Sequence, residues 1–216
     1  MVIVGRLNSL MKFNVHGRSP PCQFSGGYPP ALMQDLLMTT SLKSFLPVLS
    51  RILAEPADAL YKRQLALVRE GLMESVPGHG RGSGVRATPE SVAMLLIGVL
   101  ASPSLSQAGP AARWIANARP GYPKYQCPLT GATTFGGVLA KVPSDESISK
   151  RVVNVSVQPR AGLASVSYDD EHAISLSFDE QHESKVKVRF STSLAAETIH
   201  ELTKAVTKLL SNEKPS

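Results

Sequence analysis

The stretch FLPVLSRILAEPADALYKRQLALVREGLMESVPGHGRGSGVRATPE, Phe45 to Glu90, decides how this chain is read. Phe45, Val48, Leu49 and Ile52 recur at i, i+3, i+4 and i+7, the period of a helix with one apolar face. Ser44 is placed to cap that helix, and Pro47 then falls in its first turn, where a missing N–H costs little. Ala54-Glu55-Pro56 reads as a turn, and Pro56 pre-sets the start of a second helix over about Ala57 to Glu70. On that helix Ala57, Tyr61, Leu65, Val68 and then Leu72 form the expected buried stripe, joined by Leu60. Lys62, Ala66 and Arg69 take another face, bordered by Arg63, and Gly71 ends the helix as a left-handed cap.

Beyond Gly71 the period changes. Leu72 to Val76 reads as a strand, PGHGRGSG (77–84) as a flexible loop, and Val85 to Ala87 as a returning strand. Thr88-Pro89-Glu90 supplies an N-cap, a proline at the first helical position and an acidic first turn. The helix that follows carries VAMLLIGVLA (92–101), apolar on nearly every side. Such a helix is either buried centrally or shared with another subunit. Helix, turn, helix and basic hairpin in this order predict a winged helix-turn-helix, with small and basic residues on the face that enters a DNA groove.

The segment Leu67 to Glu90 resembles bacterial winged-helix regulators of the multiple-antibiotic-resistance type. In that family a Leu-x-x-x-Gly-Leu closes the recognition helix, a basic Gly-rich hairpin follows, and Arg-x-Thr-Pro-Glu opens the next helix. Here Leu67 to Leu72, the loop around Arg81, and Arg86 to Glu90 match. The resemblance implies that Lys62, Arg63 and Arg69 lie at the major groove and that Arg81 reaches from the wing to phosphate or minor groove. His79 and Arg86, on either side of Arg81, complete the expected DNA-facing set. The resemblance covers about residues 45–90 only. The long dimerisation helices of the family are not evident in the rest of the chain.

The last third alternates apolar and polar residues over Val152–Val157, Leu163–Tyr168, Ala173–Phe178 and Lys185–Phe190. The short connections predict a four-stranded antiparallel meander with one buried face. Ser193 is placed to cap a final helix with the stripe Leu194, Ile199, Leu202, Val206 and Leu209-Leu210. The fold class expected is therefore α+β: an N-terminal winged helix-turn-helix followed by a four-stranded antiparallel meander with a C-terminal helix. The corresponding divisions are 38–101 for the winged helix, 102–126 for a linker with a short helix near Ala111 to Ala118, and 127–212 for an α+β dimerisation or sensing domain. Within the last, Thr133 or Thr134 is placed to cap FGGVLAKV (135–142). Residues 1–37 lack a sustained period and carry several Pro and Gly breaks, which fits either a disordered arm or a true start at Met38.

Composition narrows the function classes. The formal net charge of +6 favours anionic partners only weakly at 216 residues. Two cysteines, Cys22 and Cys127, without a Cys/His cluster argue against a structural zinc site and suit a reducing cytoplasm. The longest apolar run, Val92 to Ala101, is too short to span a bilayer. PGHGRGSG lacks the Lys-Ser/Thr ending of a phosphate-binding loop, and no nucleophile signature is present. The five histidines are scattered, and the carboxylates Asp169-Asp170-Glu171 and Asp179-Glu180 fall in hairpin turns. Trp114, Tyr122 and Tyr125 among Arg113, Arg119 and Lys124 form a basic-aromatic patch that reads better as packed linker. The expected function is a non-enzymatic, cytoplasmic DNA-binding transcriptional regulator without cofactor or metal, whose partner is double-stranded DNA. Its effector is unspecified. Pairing of the apolar helix 92–101 implies a homodimer, with Ile97 at the seam. The alternative is a protein–protein interaction module that uses the winged helix as scaffold.

Overall fold

The structure is a computed structural model and describes residues 40–78, 83–120, 126–168, 174–179 and 191–211; for 174–179 it gives the backbone only. The architecture is α+β. Helix α1, Leu42–Leu53, starts one turn earlier than the apolar period suggests, because Ser41 rather than Ser44 is its cap and accepts from the Ser44 amide at 3.3 Å. Pro47 consequently lies inside the helix and not in its first turn. Ala54 ends α1 with a left-handed φ of 51°, a conformation alanine seldom adopts. Helix α2, Ala57–Arg69, begins after Pro56 without a side-chain cap.

The buried face of α2 differs from the expected one. Leu60, Arg63, Gln64 and Leu67 point inward, while Leu65 is 39% exposed and Ala57, Tyr61 and Val68 are only half-buried. The two leucines seven residues apart, not the larger aromatic and aliphatic set, define the stripe. Of the polar residues between them, Arg63 is buried because other groups receive it, as described below.

After α2, the expected strand Leu72 to Val76 reduces to a single antiparallel bridge. Val76 and Gly84 exchange two backbone hydrogen bonds, at 2.9 and 2.8 Å. The returning arm then ties to the start of α1: Leu42 N–H donates to Val85 O at 2.7 Å and Ala87 N–H to Thr40 O at 2.9 Å. Helix α3, Pro89–Ala101, opens on Thr88 as expected, with a capping box in which Thr88 accepts from the Ser91 amide and the Ser91 hydroxyl accepts from the Thr88 amide.

Helix α3 is buried within one chain. Val92, Ala93, Leu95 and Ile97 are fully buried in a helix packed by α2, by α4 (Ala108–Asn117), by α5 (Phe135–Lys141) and by the strands Val152–Gln158 and Thr192–Ala195. The seam proposed at Ile97 for a second subunit is thus occupied by the chain's own elements, and the argument for a homodimer through this helix falls. The region read as a linker holds α4, whose Ala108, Ala112, Ile115 and Ala116 are buried, and a continuous apolar core runs from Leu42 to Val206.

The sheet is antiparallel in the order β1-β4-β3-β2-β5. Its body is the consecutive trio β2 (Val152–Gln158), β3 (Leu163–Tyr168) and β4 (Ile174–Asp179). The edges are short: β1 is Arg119–Pro120 and β5 is Thr192–Ala195. A register shift between Val152 and Asn154 sets the alternation so that Val155 and Val157 face inward, opposite Val166 and Ala164. The expected strand Lys185–Phe190 lies outside the described residues. Ser193 lies in β5, paired with Ser156, and so cannot cap the final helix. That helix, α7, runs Ala196–Ser211 and buries Ile199, Leu202 and Val206 as the period predicts. It packs beside α6 (Glu146–Arg151) and onto β2. Thr134 caps α5 as expected, accepting from Gly137 N–H at 3.2 Å.

Candidate nucleic-acid interface

The exposed side chains of α2 form one strip. Asp58, Lys62, Leu65 and Arg69 are spaced i, i+4, i+7 and i+11, which brings them onto a single line of the helix surface. Lys62 Nζ lies 2.7 Å from Asp58 Oδ2, an exposed pair of little energetic weight. Beside the strip, Lys43 of α1 sits 5.1 Å from the centre of the Tyr61 ring, a cation–π contact that adds a further positive charge to this face.

On the other side the strip borders a cleft of about 410 Å³, lined by Lys62, Leu65, Ala66, Arg69, Glu70, Leu105, Ser106, Gly109 and Pro110. The start of α4 forms its far wall. Gly109 makes that approach possible, since a Cβ there would lie 2.4 Å from Glu70 Cγ and 3.0 Å from Ala66 O. Arg113 of α4 completes the junction through an ion pair with Glu70 at 3.4 Å and a bond to the Glu70 carbonyl. Ser106 adds a hydroxyl to the wall, and its Oγ lies 2.9 Å from Ser104 Oγ.

Arg63 has no place on this face. It is 4% exposed and belongs to the interior. Its Nη1 donates to Gly98 O at 3.0 Å and to Ser102 O at 2.6 Å, among the last carbonyls of α3, which have no partners within the helix. Its Nε and Nη2 both donate to Glu55 Oε1, at 3.3 and 3.2 Å. The guanidinium therefore complements the negative end of α3 and anchors the turn before α2. Burial and these bonds keep Arg63 off the groove face expected for it. Arg86 is also off the strip. It pairs with Ser41 in the bridge to α1 and lines a separate cleft with Glu74, Glu90 and Met94. His79 and Arg81 lie outside the described residues. Of the expected residues that are described, Lys62 and Arg69 share the exposed strip and Arg63 and Arg86 do not. Leu65, which sequence periodicity assigned to the core, joins Lys62 and Arg69 there. The leucine pair 60 and 67, with the strip 58-62-65-69 opposite, is the signal that distinguishes the two phases.

Elsewhere the titratable groups have structural roles. Asp145 caps α6, and the Ser147 hydroxyl together with the Ser147 and Ile148 amides holds its carboxyl below the usual range. Glu146 is lowered by Lys150, 2.9 Å away. His200 faces Ser149 O at 3.0 Å in the small cleft between α6 and α7. Trp114 rests on Gly162, where a Cβ would come within 2.5 Å of the ring, and so packs α4 against the turn between β2 and β3. Tyr122, Lys124 and Tyr125 of the same patch lie outside the described residues. Among the described residues no group of His, Cys, Asp and Glu is placed to hold a metal ion, and no helix is long and apolar enough to cross a membrane. No protein family, curated protein or solved structure matches the chain.

Proposed function

We propose that this chain binds double-stranded DNA through α2, as a winged helix-turn-helix transcriptional regulator. The observation that carries the reading is the exposed strip Lys62, Leu65, Arg69, presented by the second helix of a helix–turn–helix pair. Two further features support it. The hairpin base at Val76 and Gly84 follows α2 and is tied back to Ser41, the order of elements in a winged helix. Lys43 adds positive charge beside the strip, and the seryl hydroxyls of the 104–106 segment can donate to phosphate.

In this reading Lys62 and Arg69 contact phosphates or guanine edges, and phosphate contacts make affinity fall with salt. Gel retardation of full-length protein on random duplexes tests it. Binding at about 50 mM salt that weakens as salt rises is expected. Lys62→Ala or Arg69→Ala should each lower the salt slope by about one unit if the residue meets phosphate. The second reading, a protein-interaction module, is favoured by the exposed Leu65. It takes precedence if no duplex is retarded even at low salt.

A further inference from the structure

Leu65 is, among the described residues, the exposed large apolar side chain. It is also flanked by charge: Lys62 one turn before it, Arg69 one turn after it. At about 1.5 Å per residue the interval from Lys62 to Arg69 is about 10 Å along the helix. That spans about three base-pair steps of about 3.4 Å each. Leu65 lies in the middle of this span, beside half-buried Ala66, and the cleft next to it has Leu105 and Pro110 in its wall. A methyl-sized apolar group can enter there with cations on both sides of it.

The major groove offers one such group. Of the four bases, thymine alone presents a methyl, at C5, and apolar side chains read it by contact. We propose that Leu65 is the specificity-determining residue of the α2 surface and selects a thymine by packing against its 5-methyl group; this rests on the DNA-binding reading above. The flanking Lys62 and Arg69 set the position of the helix, and Leu65 supplies discrimination at a thymine, whose methyl group offers a cation no hydrogen-bond acceptor.

The test uses full-length protein and duplexes enriched from a random pool by that protein. Each thymine of an enriched duplex is replaced in turn by deoxyuridine, which lacks only the methyl. At one position per α2 contact the wild type should lose affinity about fourfold, the equivalent of about one methyl-sized group returned to water. Leu65→Ala should bind the thymine and deoxyuridine duplexes alike, and Leu65→Met, which keeps an apolar side chain, should retain the difference. Placing 5-methylcytosine at the paired pyrimidine position of a cytosine variant should restore part of the lost affinity for the wild type and none for Leu65→Ala. Indifference of the wild type to deoxyuridine at every position overturns the proposal and leaves DNA binding standing, as does a Leu65→Ala protein that still discriminates. A Leu65→Ala protein that binds no duplex at all makes Leu65 a general contact and also overturns it. If the wild type enriches no duplex, the DNA reading itself fails and Leu65 belongs to a protein interface.

Discussion

Helices α2 and α3 are the same length, 13 residues, and obey opposite rules. Beyond its first turn α3 is apolar on all sides, and all but Met94 and Val99 of that part are buried. α2 buries an arginine and a glutamine between two leucines and leaves a third leucine in solvent. The difference lies in what surrounds each helix. α3 is met by other helices on several faces and by β2 and β5 besides, so every apolar position finds a partner. α2 packs mainly against α1, α3 and α4, and the end of α3 presents it with bare carbonyls. An arginine satisfies those carbonyls better than an apolar group could, so the inward face of α2 is partly polar. Which residues a helix buries is decided by the chemistry of its neighbours as much as by its own pattern.

Substitutions along the two helices should separate these rules. The largest effect is expected for Ile97→Glu, which buries a carboxylate in a fully enclosed site of the apolar core. The cooperative thermal transition followed by circular dichroism should disappear. A folded monomer instead would mean that α3 has a free face after all. Arg63→Ala comes next, since it strands the half-buried Glu55 and two carbonyls. Denaturant titration should give a loss of about 3–5 kcal/mol, typical of removing one member of a buried pair. A loss below about 1 kcal/mol would show that α2 is held by its leucines alone. The capping box of α3 is worth less. Thr88→Ala should cost about 1 kcal/mol, and no matching cap exists at Pro56 of α2 to lose. Leu65→Ala should be smallest, within about 0.5 kcal/mol, as for other surface changes. A loss of 2 kcal/mol or more there would return Leu65 to the core and reverse the comparison.

The parts of the fold that sequence discloses are those set by local rules. Thr88-Pro89-Glu90 starts α3, Thr134 starts α5, and the alternation in β2, β3 and β4 marks strands, because caps and pleats act within a few residues. Where a distant group decides, the reading slips. The phase of α2 depends on Gly98 and Ser102, which receive Arg63 across 35 and 39 residues. Ser193 resembles a helix cap locally, yet Asn154 to Val157 draw it and its neighbours into a strand. The stretch 102–126 is rich in Pro, Gly and Ala and looks like linker, but small residues are what let α4 approach α2 as closely as Gly109 does. The candidate surface followed the same pattern. Lys62 and Arg69 were legible as exposed cations, whereas Leu65 and Arg63 exchanged places because their partners lie far away in sequence.

The last turn of α3 has a consequence in time. Its carbonyls are claimed from both directions: by Arg63, synthesised earlier, and by Thr192, whose hydroxyl donates to Leu100 O from 92 residues further on. A ribosome adds about 5–20 residues per second, so roughly 5–20 seconds pass between the emergence of Leu100 and that of Thr192. During that interval α4, α5 and β2 emerge in turn, and the cover of this helix stays incomplete until β5 is made. The nascent protein should therefore be a client of holding chaperones until β5 arrives, and slow codons between α5 and β5 should lengthen its dependence on them.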